Sequence, residues 1–208
     1  MDEVLRYLGY DGQDLSSDLE RRIVRAMERC DRLVRSGVVR RAFAMDDLPL
    51  SLPGQSIAEH LRGAREVVLF TATLGHDVDR ELRLLSATDP LGQVVFDAAA
   101  TAAIERVANE TEAQIRSEAA ERGLYCSWRF SPGYGDLPLD VQPAFLRVLD
   151  ATRRLGLSLT PSNLMVPTKS VTAIVGIHPT PQPGLASSCS VCTLSEFCAL
   201  RSRGLRCK

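Results

Sequence analysis

The stretch from Pro90 to Glu121 constrains the fold more than any other part of the chain. It carries apolar or small residues at helical spacing, with Phe96, Ala100, Ala103, Ile104, Val107, Thr111 and Ile115 on one stripe. That pattern predicts one long helix, and its many alanines imply close packing against a neighbour. Upstream the period changes. Glu66-Val67-Val68-Leu69-Phe70-Thr71-Ala72-Thr73 is β-branched and nearly uncharged, the pattern of a strand buried on both faces, and Gly75 ends it.

Other segments extend the same reading. Residues 17–35 place Leu19, Ile23, Val24, Met27, Cys30, Leu33 and Val34 at helical period, opened by a Ser17/Glu20 capping box and closed by Gly37. A short strand is predicted at 38–44, a brief helix opened by Ser56 and Glu59, and another helix at 78–85, where Asp77 and Asp79 favour the N-terminus. Residues 124–130 are strand-like, 142–154 helical up to Gly156, and two further strands fall near 163–166 and 171–177. Without regular βαβ spacing, this mixture predicts an α+β domain over residues 1–180, a twisted, largely antiparallel sheet flanked by helices. From His178 to Ser188 the composition turns to Pro, Thr, Gly and Ser, a linker into a cysteine-rich tail at 181–208.

A chain of 208 residues with 45% hydrophobic and 25% charged residues can build one good core, burying roughly 70% of the surface its unfolded form exposes. Twenty-five Lys and Arg against 26 Asp and Glu leave a formal charge of −1, which argues against nucleic acid or an anionic membrane as partner. No apolar stretch reaches the roughly 18–20 residues of a bilayer-spanning helix. The opening Met1-Asp2-Glu3 is unlike a secretory signal, so a cytoplasmic location is expected, where thiols stay reduced.

Four of the six cysteines lie in the last twenty residues. Cys189, Cys192, Cys198 and Cys207 have the spacing C-x2-C-x5-C-x8-C, which gives one metal two thiolates from a C-x-x-C turn and two from later positions. Four soft ligands imply zinc or an iron-sulfur cluster. A structural zinc site usually pairs two knuckles, and only one is present here, which tilts the balance toward the cluster. Arg201, Arg203, Arg206 and Lys208 would offset the site's negative charge. Cys30 and Cys126 read as small buried hydrophobes, and His60, His76 and His178 stand alone, with no second His or Cys at ligand spacing.

The segment Arg129-Phe130-Ser131-Pro132-Gly133-Tyr134-Gly135-Asp136 places an arginine at a strand end before a loop whose glycines let backbone approach a ligand. A guanidinium fork there suits a carboxylate; the plain alternative is a turn with a surface arginine. There is no G-x-G-x-x-G after a strand, no G-x-x-x-x-G-K-[ST] and no G-x-S-x-G.

At this loop the chain resembles the activation (reactivation) domain family of cobalamin-dependent methionine synthase, in particular its stand-alone members. Two blocks carry the resemblance: R-F-S-P-G-Y at 129–134, similar to the family's R-x-x-P-G-Y, and G-L-S-L-T at 156–160 with M-V-P-T-K-S-V-T at 165–172, similar to its G-x-x-L-T and M-x-P-x-x-S-V-S. R-Y-L-G-Y at 6–10 and A-T-L-G at 72–75 look like the stand-alone members, so the likeness covers nearly all of the chain except the tail.

The resemblance implies that the protein brings S-adenosylmethionine to a corrinoid on a partner, so that one electron and one methyl group return cob(II)alamin to the active methylated form. It implies a cofactor site at Arg129, Pro132, Gly133 and Tyr134, with Arg129 on the ligand carboxylate and no catalytic side chain. The partner would be a cobalamin-binding methionine synthase or a related corrinoid protein, with a possible electron donor. Two departures stand out: Gly135 where full-length enzymes have proline, and Ile174 and Val175 where they have aromatics. Asp97 and Glu105 on the long helix are candidates for the family's acidic contacts, and Ser170 reads as structural. The tail, absent from the fused enzyme, would pass electrons if it holds a cluster and cap the fold if it holds zinc. The rival readings are an activator of another corrinoid methyltransferase and a non-enzymatic metal-binding interaction module.

Overall fold

A computed structural model describes residues 1–182. In chain order its helices and strands are α1 (Asp2–Tyr7), α2 (Ser17–Leu33), β1 (Gly37–Ala44), α3 (Gln55–His60), β2 (Glu66–Thr73), α4 (His76–Thr88), α5 (Pro90–Glu121), β3 (Tyr125–Cys126), α6 (Gln142–Val148), α7 (Ala151–Leu155), β4 (Ser158–Leu159), β5 (Met165–Val166) and β6 (Ser170–His178). Four strands form one sheet in the order β1-β2-β6-β3, and β4 pairs with β5. The sheet is antiparallel: Arg35 N–H donates to Leu74 O and Met45 N–H to Arg65 O at opposite ends of β2, while Leu74 N–H meets Lys169 O and Arg65 N–H meets Ile177 O. The fold is α+β, as predicted. The strand at 66–73 and the helix at 90–121 fall where hydrophobic periodicity placed them, and α5 is about 48 Å long at 1.5 Å per residue.

The chain divides into two compact units. The first comprises Met1–Val39, Ala72–Glu110 and Ala151–Val171. Its core gathers Val4 of α1, Ile23 and Cys30 of α2, Leu74, Val78 of α4, and Phe96, Ala99, Ala100, Ala103 and Ile104 of α5. Fully burying a side chain the size of Phe96 or Ile23 contributes roughly 1.5–3 kcal/mol, and the alanines of α5 let neighbouring backbones come close. Burial pushes the Cys30 thiol up to about 11, leaving it an inert core residue. Helix α2 is capped one residue earlier than predicted. Ser16 Oγ accepts from Leu19 N–H at 3.2 Å, so Ser17 is the first helical residue and Glu20 lies past the capping-box position. Asp89 caps α5 in the same way, through Gly92 N–H at 3.0 Å.

The M-V-P-T-K-S-V segment is clamped within this unit. Asp79, only 4% exposed, accepts from Thr168 N–H and Thr168 Oγ1. Lys169 Nζ lies 2.8 Å from both Asp97 and Thr101, and Ser170 Oγ donates to Pro167 O at 2.8 Å and lies 2.8 Å from Thr73 Oγ1. Ser170 thus takes part in the clamp. Strand β4, paired through Ser158↔Val166 and Leu159↔Met165, was not visible in the sequence pattern.

The second unit comprises Arg40–Thr71, Thr111–Asp150 and, among the described residues, 172–182. Val67, Leu69 and Phe70 of β2, Ile174, Val175 and Ile177 of β6, Phe130, and Phe145 and Leu146 of α6 are all buried. Thr172 Oγ1 donates to Gln142 Oε1 at 3.0 Å inside it, satisfying two buried polar groups. The helix predicted at 142–154 is interrupted after Val148, where Leu149 caps α6 and Asp150 takes a left-handed conformation at φ 53°.

Candidate functional site

The strand predicted at 124–130 pairs regularly only over Tyr125–Cys126, and the reason lies in its register. Cys126 faces Ile177, yet Phe130 faces Ile174. Four steps along one strand match three along the other, so one surplus residue sits between Ser127 and Arg129: a β-bulge. Ser127 supplies the missing ladder contact from its side chain, its Oγ accepting Gly176 N–H at 2.9 Å. Arg116 of α5 secures the bulge by donating to Cys126 O at 3.1 Å and reaching toward Ser127 O.

Arg129 leaves this bulge with its side chain 19% exposed and meets Glu112 Oε2 of α5 at 3.3 Å. The other Glu112 oxygen lies 2.8 Å from Arg116 Nη2. One carboxylate thus bridges two guanidiniums. The sequence singled out Asp97 and Glu105 as acidic candidates; Glu112, not among them, is the acid beside Arg129. Asp97 pairs with Lys169 in the first unit, and Glu105 acts on Tyr7, whose phenol is raised first by burial and then by that carboxylate. The signal for Glu112 was its i, i+4 spacing to Arg116, which marks a charged helix face but says nothing about which strand that face meets.

Beyond Arg129 the chain turns. Tyr134 N–H donates to Ser131 O at 3.0 Å and Gly133 N–H to Leu137 O at 2.8 Å. Pro132 is buried, Gly133 exposed, and Tyr134 stands 54% exposed with its ring edge-on to Phe130 at 6.1 Å. Asp136 then accepts Gln55 N–H at 2.7 Å and Ser56 N–H at 3.0 Å, capping α3 from outside the helix. Those two amides hold the Asp136 carboxyl below the usual carboxylate range. The cap needs glycine at two places. A Cβ on Gly54 would come 2.6 Å from Asp136 Oδ1, and Gly135, at φ 53°, has Ser56 Oγ 2.6 Å from where its Cβ would stand. Proline, with φ fixed near −65°, cannot take that conformation, which accounts for the Gly135 departure.

Beneath the loop lies His60, at the end of α3 and 2% exposed. Its Nε2 is 2.9 Å from Ser127 Oγ, and its ring packs against Trp128 at 4.5 Å and Phe130 at 5.1 Å. Burial pushes the imidazole down to about 4 and burial also lowers His178, so both are neutral at pH 7. The predicted residues Arg129, Pro132, Gly133 and Tyr134 thus share one bulge and turn. Cys189, Cys192, Cys198 and Cys207 lie outside the described residues. Among the described residues no group of three or more His, Cys, Asp or Glu is placed to hold a metal ion, and no helix is long and apolar enough to cross a membrane.

The chain resembles a solved structure, the crystal structure of the MetH reactivation domain bound to AdoHcy. The two are 16% identical, the match covers 93% of this chain and 75% of that one, and the TM-score is 0.61, a likeness of fold. No curated protein matches the sequence. Residues 55–183, from the start of α3 through the Arg129 loop to just past β6, match the family model of the vitamin B12 dependent methionine synthase activation domain. That match spans more than half of the sequence, and the chain belongs to this family.

Proposed function

We propose that the chain is a stand-alone activation subunit that binds S-adenosylmethionine at the Arg129 loop and presents it to a cobalamin-bearing methionine synthase. The observation that carries this reading is the Arg129–Glu112 pair, a guanidinium and a carboxylate 3.3 Å apart and each about four-fifths buried. An α-amino acid offers the complementary pair: its carboxylate suits Arg129 and its ammonium suits Glu112. Few other ligands present both charges on one carbon.

The residues present fit such a ligand. Gly133 exposes backbone, and Tyr134 offers an exposed ring for a base or ribose. S-adenosylmethionine supplies the methyl group when bound. The chain's own part is to hold the amino-acid end, orient the rest and exclude water, which calls for positioning rather than for an acid or base. The AdoHcy in the related crystal structure supports the same class of ligand. Residues 181–208 are proposed as a separate tail whose four cysteines hold an iron-sulfur cluster or zinc; iron and sulfide in anaerobically purified protein would support the first, zinc alone the second.

The experiment is calorimetric titration of S-adenosylmethionine into the wild type and Arg129→Ala. Saturable binding that the substitution abolishes supports the reading. Equal binding by both proteins removes Arg129 from the site, and no binding by either, even with the cobalamin partner present, overturns the function.

A further inference from the structure

The ligand loop is tied to α3 at both ends of that helix. At the N-terminus the tie is Asp136, and at the C-terminus it is His60, whose ring touches Trp128 and Phe130, the residues on either side of Arg129. Phe130 in turn meets Tyr134. A buried imidazole therefore stands at one end of a ring series and the exposed tyrosine at the other.

The contacts around Ser127 favour one tautomer of that imidazole. Ser127 Oγ accepts Gly176 N–H and has one proton of its own, which it donates to Trp128 O at 3.1 Å. Its remaining lone pair faces His60 Nε2 at 2.9 Å, so Nε2 carries the hydrogen and Nδ1 is bare. Nδ1 is buried and meets no hydrogen-bonding group among the described residues. A proton added there would lie in an apolar site without an acceptor. The backbone carbonyl of Trp128 favours an added charge, but burial outweighs it. Glu59 of α3 and Arg62 just beyond it pair with each other at 3.5 Å on an exposed surface, β6 contributes the buried neutral His178, and Arg129 from the bulge is engaged with Glu112 of α5.

We propose that His60 is a positioning residue for the ligand loop: as the neutral Nε2–H tautomer it holds the Ser127–Phe130 bulge in the shape that aims Arg129 and Tyr134, and protonating it weakens ligand binding. The proposal rests on the S-adenosylmethionine reading. By reciprocity, the ligand must also make His60 harder to protonate.

Trp128 is the only tryptophan in the sequence and lies edge-on to His60, so its fluorescence reports the imidazole directly. The experiment titrates wild-type fluorescence with acid, alone and with saturating S-adenosylhomocysteine, and repeats it with His60→Gln. Circular dichroism confirms that the protein stays folded over the range. The expected result is a transition well below the ordinary histidine range that His60→Gln abolishes and that the ligand moves to lower pH, by about one pH unit for each tenfold difference in affinity between the two forms. Calorimetry at pH 7.5 should show His60→Gln binding at least tenfold more weakly. Leu146→Ala, which removes a buried side chain of α6 in the same unit, should lower Tm yet bind within twofold of wild type. A midpoint unmoved by ligand overturns the proposal, and so does His60→Gln binding as tightly as wild type. Should the wild type bind nothing, the fluorescence transition remains readable and it is the ligand assignment that falls, taking the coupling with it.

Discussion

Asp79 accepts two hydrogen bonds from Thr168, one from its backbone N–H at 2.8 Å and one from its hydroxyl at 2.8 Å, across 89 residues of sequence. The carboxylate is almost wholly buried, and its partner lies in the turn between β5 and β6. Asp79→Ala leaves the Thr168 amide unsatisfied and should cost roughly 2–3 kcal/mol, read as a lower urea midpoint with unchanged slope. Asp79→Asn keeps one acceptor oxygen and should cost less than half as much. Equal stability of the alanine variant and wild type would show that the clamp contributes nothing net.

At the proposed ligand site, Arg129→Ala removes the charge-assisted contact to the ligand carboxylate, and affinity should fall about 10- to 100-fold. Glu112→Gln should weaken binding as well, but should spare a ligand analogue that lacks the amino group. Calorimetry with the two ligands on the two variants separates the roles; an identical loss for both ligands with Glu112→Gln would remove the ammonium assignment.

Gly135 gives a backbone test. Gly135→Ala forces a Cβ into a left-handed position and against Ser56, and should destabilise the protein by roughly 1–3 kcal/mol. Gly135→Pro should be worse, even though proline is the residue of the full-length enzymes, because it detaches Asp136 from α3. Thermal melts order the three proteins, and a proline variant as stable as wild type would show that the loop adopts another course.

The two buried histidines contribute to the pH dependence of stability. Folding lowers the His60 pKa from 6.5 to about 4, so between those values the unfolded chain binds more protons than the folded one. Stability from this group is complete above the unfolded pKa and declines as pH falls toward 4, by on the order of 3 kcal/mol. His178 acts in the same direction. Urea unfolding at pH 7.5 and 5.0 should show a smaller difference for His60→Gln than for wild type; equal differences would place the titration elsewhere.

Much of this was legible in the sequence wherever structure is local. The runs at 66–73 and 90–121 declare themselves because burial on both faces and a helical stripe each leave a repeating pattern. The Arg129 loop was legible for a similar reason, since Gly133 and Pro132 mark a turn whatever surrounds it. The features that escaped depend on partners distant in sequence. Nothing near residue 127 announces a bulge, which is defined by the count of residues on β6. Asp79 read as an ordinary acid at a helix start until Thr168 was placed beside it. Glu112 is one of several acids on α5, and only its proximity to Arg129 distinguishes it. The break at Asp150 comes from an aspartate accepting a conformation that it tolerates without requiring.

The bulge between Cys126 and Phe130 has a consequence for how this family can vary. A strand alternates its side chains, and an odd insertion acts as a phase slip, leaving the residues after it offset by one from the residues before it. The edge strand and the Arg129 loop therefore keep separate clocks. Substitutions at 124–126 can retune the sheet edge, whose Tyr125 is exposed, without resetting where the arginine points. A one-residue deletion between 127 and 129 would synchronise the two, giving a more regular sheet and an arginine aimed at the wrong side.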